Sequence, residues 1–339
     1  GNFTAYGATP AFRFTRMNRD GTLDTVFNTA LGTGFNGTVF SIGVEESGSS
    51  IVVGDFTTFN GGATIRIARI SDTGVQDAAF NANIGTGPNF SIRKVNITSS
   101  GQILCTGEFN IWNGVAGNNR IILLNQDGTV DAAFKTASGT GFNSTVGTCD
   151  LDSDNSIVMS NGFATSYNGN SLLLGGANSI FRINADGSFD TVISVGTMFN
   201  NDPTDVSIQA DGKIIVTGIF TDYDGDTVNN ICRLNTDGTI DTLFLANTGT
   251  GFSVGANGSA IMPSGQIMVG CGVGNFNGLA ANSLVLLNAD GSRDTAYNTG
   301  PGPNNTVISP VVSAFGSIWI YGTFHHVDGA PRLRIARLT

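Results

Sequence analysis

The chain of 339 residues carries a formal net charge of −10, yet only 12% of its residues are charged, so Asn, Thr, Ser, Asp and Gly supply most of its polarity. Only three basic residues are Lys (Lys94, Lys135, Lys213) and the arginines are spread singly, which argues against the clustered cations that phosphate backbones or anionic membrane surfaces require. A hydrophobic share of 40% can fill a core, and no apolar run approaches the ~20 residues of a membrane span.

Residues 1–10 read as an N-terminal linker. Beyond them the pattern N-x-D-G-[TS]-x-D-x-x-[FIY] recurs at Asn18–Phe27, Asn125–Phe134, Asn184–Ile193, Asn235–Phe244 and Asn288–Tyr297, with a degenerate copy at Ser71–Phe80. Its glycines, Gly21, Gly74, Gly128, Gly187, Gly238 and Gly291, lie 51 to 59 residues apart, the mark of a repeat architecture. Pairing Asn18 with Thr22 leaves a three-residue loop whose glycine takes the left-handed position. The same register sets Arg16 opposite Asp24, Arg69 opposite Asp77, Arg182 opposite Asp190 and Arg233 opposite Asp241. Such pairs contribute ~0–1 kcal/mol when exposed, whereas burying the closing Phe is worth ~1.5–3 kcal/mol. Leu123 and Leu286 replace the Arg while Asp131 and Asp294 remain, so the Asp needs a second task, such as capping its own turn.

Between these turns lie short β-branched or aromatic segments bounded by turn residues, each read as a strand. In residues 39–80 they are Val39–Val44, Ser50–Val53, Thr64–Ile70 and Val75–Phe80, four strands to a unit. Six first and second strands can be counted against seven third strands, from Phe12–Met17 to Leu333–Leu338. If Thr22–Phe27 adds to Leu333–Leu338, a ring closes without an open edge. The predicted fold is therefore an all-β, six-bladed β-propeller of four-stranded antiparallel blades, closed by an N-terminal strand. It forms a single domain over 11–339, with repeats at about 17–69, 70–123, 124–182, 183–233, 234–286 and 287–338. The surplus strand Phe12–Met17 points to a longer parent chain or a variant closure.

The unit, clearest at Gly212–Asn235, resembles the delta-60 repeat family of bacterial and phage proteins. That resemblance spans about residues 11–339 and implies β-propellers found in secreted or surface bacterial proteins and in bacteriophage virions. It implies no catalytic residues.

Other motifs read as scaffold. Gly32-Thr-Gly-Phe-Asn-Gly37 matches a dinucleotide fingerprint but precedes a strand instead of opening a helix. Asp150-x-Asp152-x-Asp154 and Asp222-x-Asp224-Gly-Asp226 begin like calcium loops, but the twelfth positions are Asn161 and Arg233 rather than Glu. Cys105, Cys149, Cys232 and Cys271 match neither a zinc site nor a disulfide framework. The only histidines, His325 and His326, are adjacent on a strand, so one should be packed and one exposed.

Variation concentrates in the connections between second and third strands, each of which keeps an Asn-Gly or Asp-Gly pair. Functional residues sit on loops held by a rigid scaffold, so the expected partner-binding residues are Trp112, Tyr167, Leu172, Leu173, Leu174, Tyr223, His325 and His326. The three leucines either plug the propeller channel or meet another chain. The sequence points to a non-enzymatic structural or binding propeller of a virion, without cofactor, nucleic-acid partner or membrane insertion. Its expected partners are other virion or cell-surface proteins and glycans. A secreted or surface-anchored bacterial propeller is the alternative.

Overall fold

A computed structural model of the protein describes residues 1–117, 119–160, 162–172, 178–190, 199–297, 300–313 and 317–338. Among them, six antiparallel three-stranded sheets follow one another along the chain, each with its second strand in the middle. The first sheet is Val39–Val44, Ser50–Gly54 and Ile67–Ile70; the second is Ile92–Ile97, Ile103–Gly107 and Ile121–Leu124. The third is Cys149–Leu151, Ile157–Ser160 and Ile180–Ile183; the fourth is Pro203–Ile208, Ile214–Gly218 and Ile231–Leu234. The fifth is Ala256–Ile261, Ile267–Cys271 and Leu284–Leu287; the sixth is Val307–Val312, Ile318–Gly322 and Ile335–Leu338. Middle strands such as Ile51-Val-Val53 and Ile214-Ile-Val216 are continuous apolar runs because both of their faces are buried.

The chain divides into two compact units. One comprises Gly1–Val146, Ala164–Asn170 and Asn184–Phe189 and holds the first two sheets. The other comprises Gly147–Phe163, Ser171–Ile183 and Asp190–Thr339 and holds the remaining four. Each has its own core. In the first, Ile51, Val53 and Ile67 pack against Ile92, Val95, Ile103 and Cys105. In the second, Val158 and Ile180 pack against Val206, Ile214 and Val216.

The turns hold the predicted register. Asn18 N–H donates to the Thr22 carbonyl at 2.8 Å, and Gly21 has a φ of 86°. The Asp of the turn accepts from the Thr or Ser two residues on, as at Asp20–Thr22 and Asp237–Thr239. The four expected ion pairs are present, at 2.8 Å (Arg16–Asp24), 3.6 Å (Arg69–Asp77), 2.6 Å (Arg182–Asp190) and 3.0 Å (Arg233–Asp241).

In four of the six repeats the expected fourth strand is a correction. A single residue bridges back after the turn, as at Met17–Leu23 and Ile70–Gln76, and the chain then enters a helix: α1 Thr25–Ala30, α2 Ala78–Ile84, α3 Ala132–Ser138 and α4 Thr242–Thr248. The cause is the motif's second Asp. Asp24 Oδ1 accepts from Phe27 N at 3.0 Å, and Asp77, Asp131 and Asp241 cap their helices the same way, satisfying amides that a helix start leaves open. This is the second task that survives loss of the Arg. Where Leu123 and Leu286 stand, Gln102 and Gln266 reach Asp131 and Asp294 at 2.8 Å instead. Burial disfavours the Asp241 carboxylate, but the Lys213 hydrogen bond, the Phe244 amide and the Arg233 charge outweigh it and hold its pKa at about 2.

Each helix locks one repeat to the next. Phe27, Phe80, Phe134 and Phe244 are buried, with Arg16, Arg69 and Arg233 stacked 4.1, 4.4 and 4.6 Å over three of the rings. The same arginines donate to carbonyls of the following turn: Arg16 to Asp72 at 2.6 Å, Arg69 to Gln126, and Arg233 to Ala289 at 2.5 Å. The following glycine lies against the Phe; a Cβ at Gly128 would stand 3.0 Å from the Phe80 ring, and one at Gly291 would stand 2.8 Å from Phe244.

Two further expectations change. Thr22–Phe27 is no closing strand, since only Leu23 is bridged before α1 begins. Residues 1–10, expected as a linker, contain a hairpin of Ala5–Tyr6 with Thr9–Pro10, and the Tyr6 hydroxyl donates to the Gly21 carbonyl at 3.1 Å. The fold is all-β and propeller-like, with a few short helices.

Candidate interaction surface

Between the second and third strand of each sheet the chain forms a small hairpin: Thr58–Phe59 with Gly62–Ala63, Ile111–Trp112 with Val115–Ala116, and Ser166–Tyr167 with Asn170–Ser171. The other three are Asp222–Tyr223 with Asp226–Thr227, Asn275–Phe276 with Leu279–Ala280, and His326–Val327 with Ala330–Pro331. In all six the central pair, Asn-Gly or Asp-Gly, has positive φ at both residues; Asn60 and Gly61 stand at 48° and 75°. Only a two-residue turn of this hand matches the twist of its strands, which is why these residue types recur.

Two kinds of clamp hold the hairpins. A side chain from the preceding loop accepts two consecutive hairpin amides: Asn36 Oδ1 from Thr57 and Thr58 at 2.8 and 2.9 Å, Asn200 from Thr221 and Asp222, and Asn304 from His325 and His326. Tip residues reach back to the preceding Gly-x-Gly loop, where Asn60 Oδ1 accepts from Gly34 N at 3.0 Å and Asp328 Oδ1 from Gly302 N at 2.9 Å. The loop's first glycine caps the helix and must lack a side chain, because a Cβ at Gly85 or Gly249 would stand 2.8 or 2.6 Å from the tip Asn. The literal nucleotide fingerprint at Gly32–Gly37 is thus a hairpin dock.

Beneath each hairpin lies the residue that precedes its turn. Phe59, Trp112, Tyr167, Tyr223, Phe276 and Val327 are all buried. Four stack on the loop aromatic 4.6–4.9 Å away, as Tyr167 does on Phe142 and Tyr223 on Phe199. The Tyr167 and Tyr223 hydroxyls donate to the Gly187 and Gly238 carbonyls at 2.6 and 2.5 Å, and burial pushes the Tyr167 phenol above its ordinary range.

This corrects three expected partner-binding residues. Trp112, Tyr167 and Tyr223 are core side chains, buried beneath the hairpins rather than exposed on them. Leu172 is 4% exposed, and Ser179 Oγ donates to its carbonyl at 3.3 Å; Leu173 and Leu174 lie outside the described residues. His325 and His326 are both exposed. The expected alternation fails because Asn304 ties both backbone amides to one oxygen, and the buried position falls to Val327.

What faces outward is the tip of each hairpin. Residues 60–63, 113–116, 168–171, 224–227 and 277–280 are exposed, on a shared frame but with differing side chains: Gly62, Val115, Asn170, Asp226, Leu279 and, half-buried, Ala330. Val115 and Leu279, 51% and 57% exposed, were missed by sequence reading. Their signal is the position directly after the Asn-Gly turn, which the turn presents to solvent.

The carboxylates of the acidic segments accept backbone amides. Asp152 Oδ1 accepts from Ser153 N, Asp154 Oδ1 from Ser156 N, Asp150 Oδ2 from Ile208 N, and Asp222 Oδ1 from Gly225 N. Among the described residues, no group of three or more His, Cys, Asp or Glu side chains is placed to hold a metal, and no helix is long and apolar enough to cross a membrane.

A sequence profile described as a β-propeller domain of unknown function (DUF5122) matches residues 1–27, 47–80, 98–134, 209–244 and 263–297, just under half of the chain. No curated protein matches the sequence. Among solved structures, PorZ, a surface component of the type-IX secretion system of Porphyromonas gingivalis, is similar with a TM-score of 0.50 and 14% identity, over 88% of this chain and 39% of PorZ. The WD40 β-propeller domain of Doa1 is similar at 0.48 and 11% identity, over 84% of this chain and 76% of that one. Virginiamycin B lyase from Staphylococcus aureus is similar at 0.47 and 15% identity, over 89% and 80%. The repeat, its sheets, the profile match and the likeness to PorZ together mark this chain as a propeller-like β-repeat protein.

Proposed function

We propose that the chain is a non-enzymatic structural or binding propeller of a bacteriophage virion, a tail, fibre or capsid-associated component that mediates assembly or host-surface contact. One observation carries the binding part: six hairpins share a buried frame and differ in the side chains they expose. Such a frame holds variable contacts rigidly, which limits the ordering cost of binding. The virion part rests on the resemblance to delta-60 repeats. In this reading each three-stranded sheet, with its hairpin, is one of six blades. The repeat motif is spent on turns, caps and inter-repeat packing, which supports the non-enzymatic reading.

The second reading is a secreted or surface-anchored bacterial propeller that binds glycans or proteins; the fold shared with a bacterial surface component favours it. Antibodies raised against the chain separate the two. Labelling of purified virions supports the first, labelling of host envelope fractions alone supports the second, and labelling of neither overturns both. Turnover in a screen of hydrolase and lyase substrates would overturn the non-enzymatic reading.

A further inference from the structure

Residues 1–17 repeat, bond for bond, the stretch that in later repeats runs from the hairpin towards the third strand. Ala5 pairs with Pro10 and Tyr6 with Thr9, the register of Asp222 with Thr227 and Tyr223 with Asp226. The Ala11 amide donates to the Thr4 carbonyl at 2.9 Å, as Thr64 does to Thr57 and Val228 to Thr221, both at 3.0 Å. The Arg13 amide donates to the Phe3 carbonyl at 2.9 Å, as Arg66 does to Phe56, Arg120 to Phe109 and Asn230 to Phe220 at 2.9, 2.7 and 2.8 Å. Arg13 has a φ of 67°, against 62° at Arg66 and 68° at Arg120. Its guanidinium reaches the Phe35 carbonyl at 2.7 Å, where theirs reach those of Pro88 and Phe142 at 3.1 and 2.8 Å.

The tyrosine completes the match. Tyr6 donates its hydroxyl to the carbonyl of Gly21, 15 residues on, and Tyr223 donates to that of Gly238, also 15 residues on. In both cases the acceptor is the glycine of the motif turn, so one bond ties hairpin to turn. The tip differs in its central pair: Gly7 has a positive φ, 59°, and Ala8 does not. Glycine first and an ordinary residue second make the other two-residue turn that suits strand twist, so Gly7-Ala8 replaces Asn-Gly without loss of the hairpin. Every one of these contacts made by residues 1–17 lies within the first compact unit.

The register places Thr9 where Val115 and Asn170 stand, directly after the turn. Residues 7–10 are exposed, as are 60–63, 113–116 and 168–170. No residue in these four segments is charged, so they offer methyl, hydroxyl, amide and backbone groups. A charged side chain facing them would lose water without gaining a counter-charge.

We infer that Ala5–Pro10 is a further contact hairpin, so that the first unit meets its partner through four tips and not three. The partner surface they fit is uncharged. The inference rests on the proposed reading of the hairpin tips and adds to it a contact element and the chemistry of what that element meets.

Hydrogen exchange on the full chain tests the structural half. The amides of Ala11 and Arg13 are protected, and Tyr6→Phe speeds their exchange by about two- to tenfold, the worth of one hydrogen bond. Tyr223→Phe does the same at Val228 and Asn230. Unprotected amides at Ala11 and Arg13, or protection untouched by Tyr6→Phe, would overturn the inference. Binding to purified virions and to host envelope fractions tests the contact. Thr9→Arg, at an exposed position, weakens binding by at least about tenfold, whereas Thr9→Ser, small and uncharged, binds like the wild type. Replacing Val115, Asn170, Asp226 and Leu279 together with glycine separates the two claims. Binding lost in that variant but kept in Thr9→Arg overturns this inference alone. Binding kept in both overturns the reading of the tips, and this inference with it.

Discussion

Adding one methyl group at Gly128 should destabilise the protein more than adding it at Gly21, although the two glycines occupy the same place in the repeat. Their φ values, 92° and 86°, are nearly equal, so Gly→Ala carries the same backbone cost of ~1–2 kcal/mol at both. At Gly21 nothing else is added, since the space around the new Cβ is open. At Gly128 the Cβ lands 3.0 Å from Cδ2 and Cε2 of Phe80 and 3.1 Å from its carbonyl oxygen. That ring is 1% exposed and sits under Arg69, so it cannot swing away, and overpacking adds ~1–3 kcal/mol. Denaturant unfolding followed by Trp112 emission, in a Trp319→Phe background, reports on the unit that holds both glycines. Gly128→Ala should lower the transition by ~1–3 kcal/mol beyond Gly21→Ala. In a Phe80→Ala background, which itself costs ~3–5 kcal/mol, that excess should shrink because the ring is gone. Equal costs at the two glycines, or an excess untouched by removing the ring, would refute the claim that the motif's Gly and Phe form one inter-repeat joint.

Three other outcomes follow from the same packing. The Asp241 carboxyl, held at about 2 in the fold, lies below its unfolded value of ~4. Its contribution is full above the unfolded pKa and is lost as pH falls from ~4 towards 2; acid titration of Asp241→Asn should lack that part of the decline. Asn304→Ala should speed hydrogen exchange at the amides of His325 and His326, which share its Oδ1, and leave exchange in the sixth sheet's strands unchanged. Burial pushes the Cys271 thiol up to about 12 and raises that of Cys232 further; thiol reagents at neutral pH should label neither until the protein unfolds.

The repeat turns were legible in the sequence because their chemistry is local: Asn18, Asp20, Gly21 and Thr22 bond to one another within one turn. The Arg–Asp register followed from it. The helices were not legible, because six or seven residues such as Ala78–Ile84 are too few to show a helical period. An Asp three residues before a Phe reads equally well as the start of a strand. Its role as a cap, suspected where Leu123 replaced Arg, was the one clue. Trp112, Tyr167 and Tyr223 were taken for surface residues because they adjoin exposed Asn-Gly or Asp-Gly turns; part of what buries them, such as Phe142 against Tyr167 and Phe199 against Tyr223, lies more than twenty residues away. Closure of a ring depends on contacts between the most distant parts of the chain, which the pairing of neighbouring strands does not encode.

The central claim is a division of labour, with the motif holding the scaffold and the hairpin tips meeting the partner. It is tested most directly by replacing Val115, Asn170, Asp226 and Leu279 together with glycine, then comparing the variant with wild type for melting temperature and for binding to purified virions and host envelope fractions. The account predicts an unchanged melting temperature and lost binding. Binding that survives intact would contradict it.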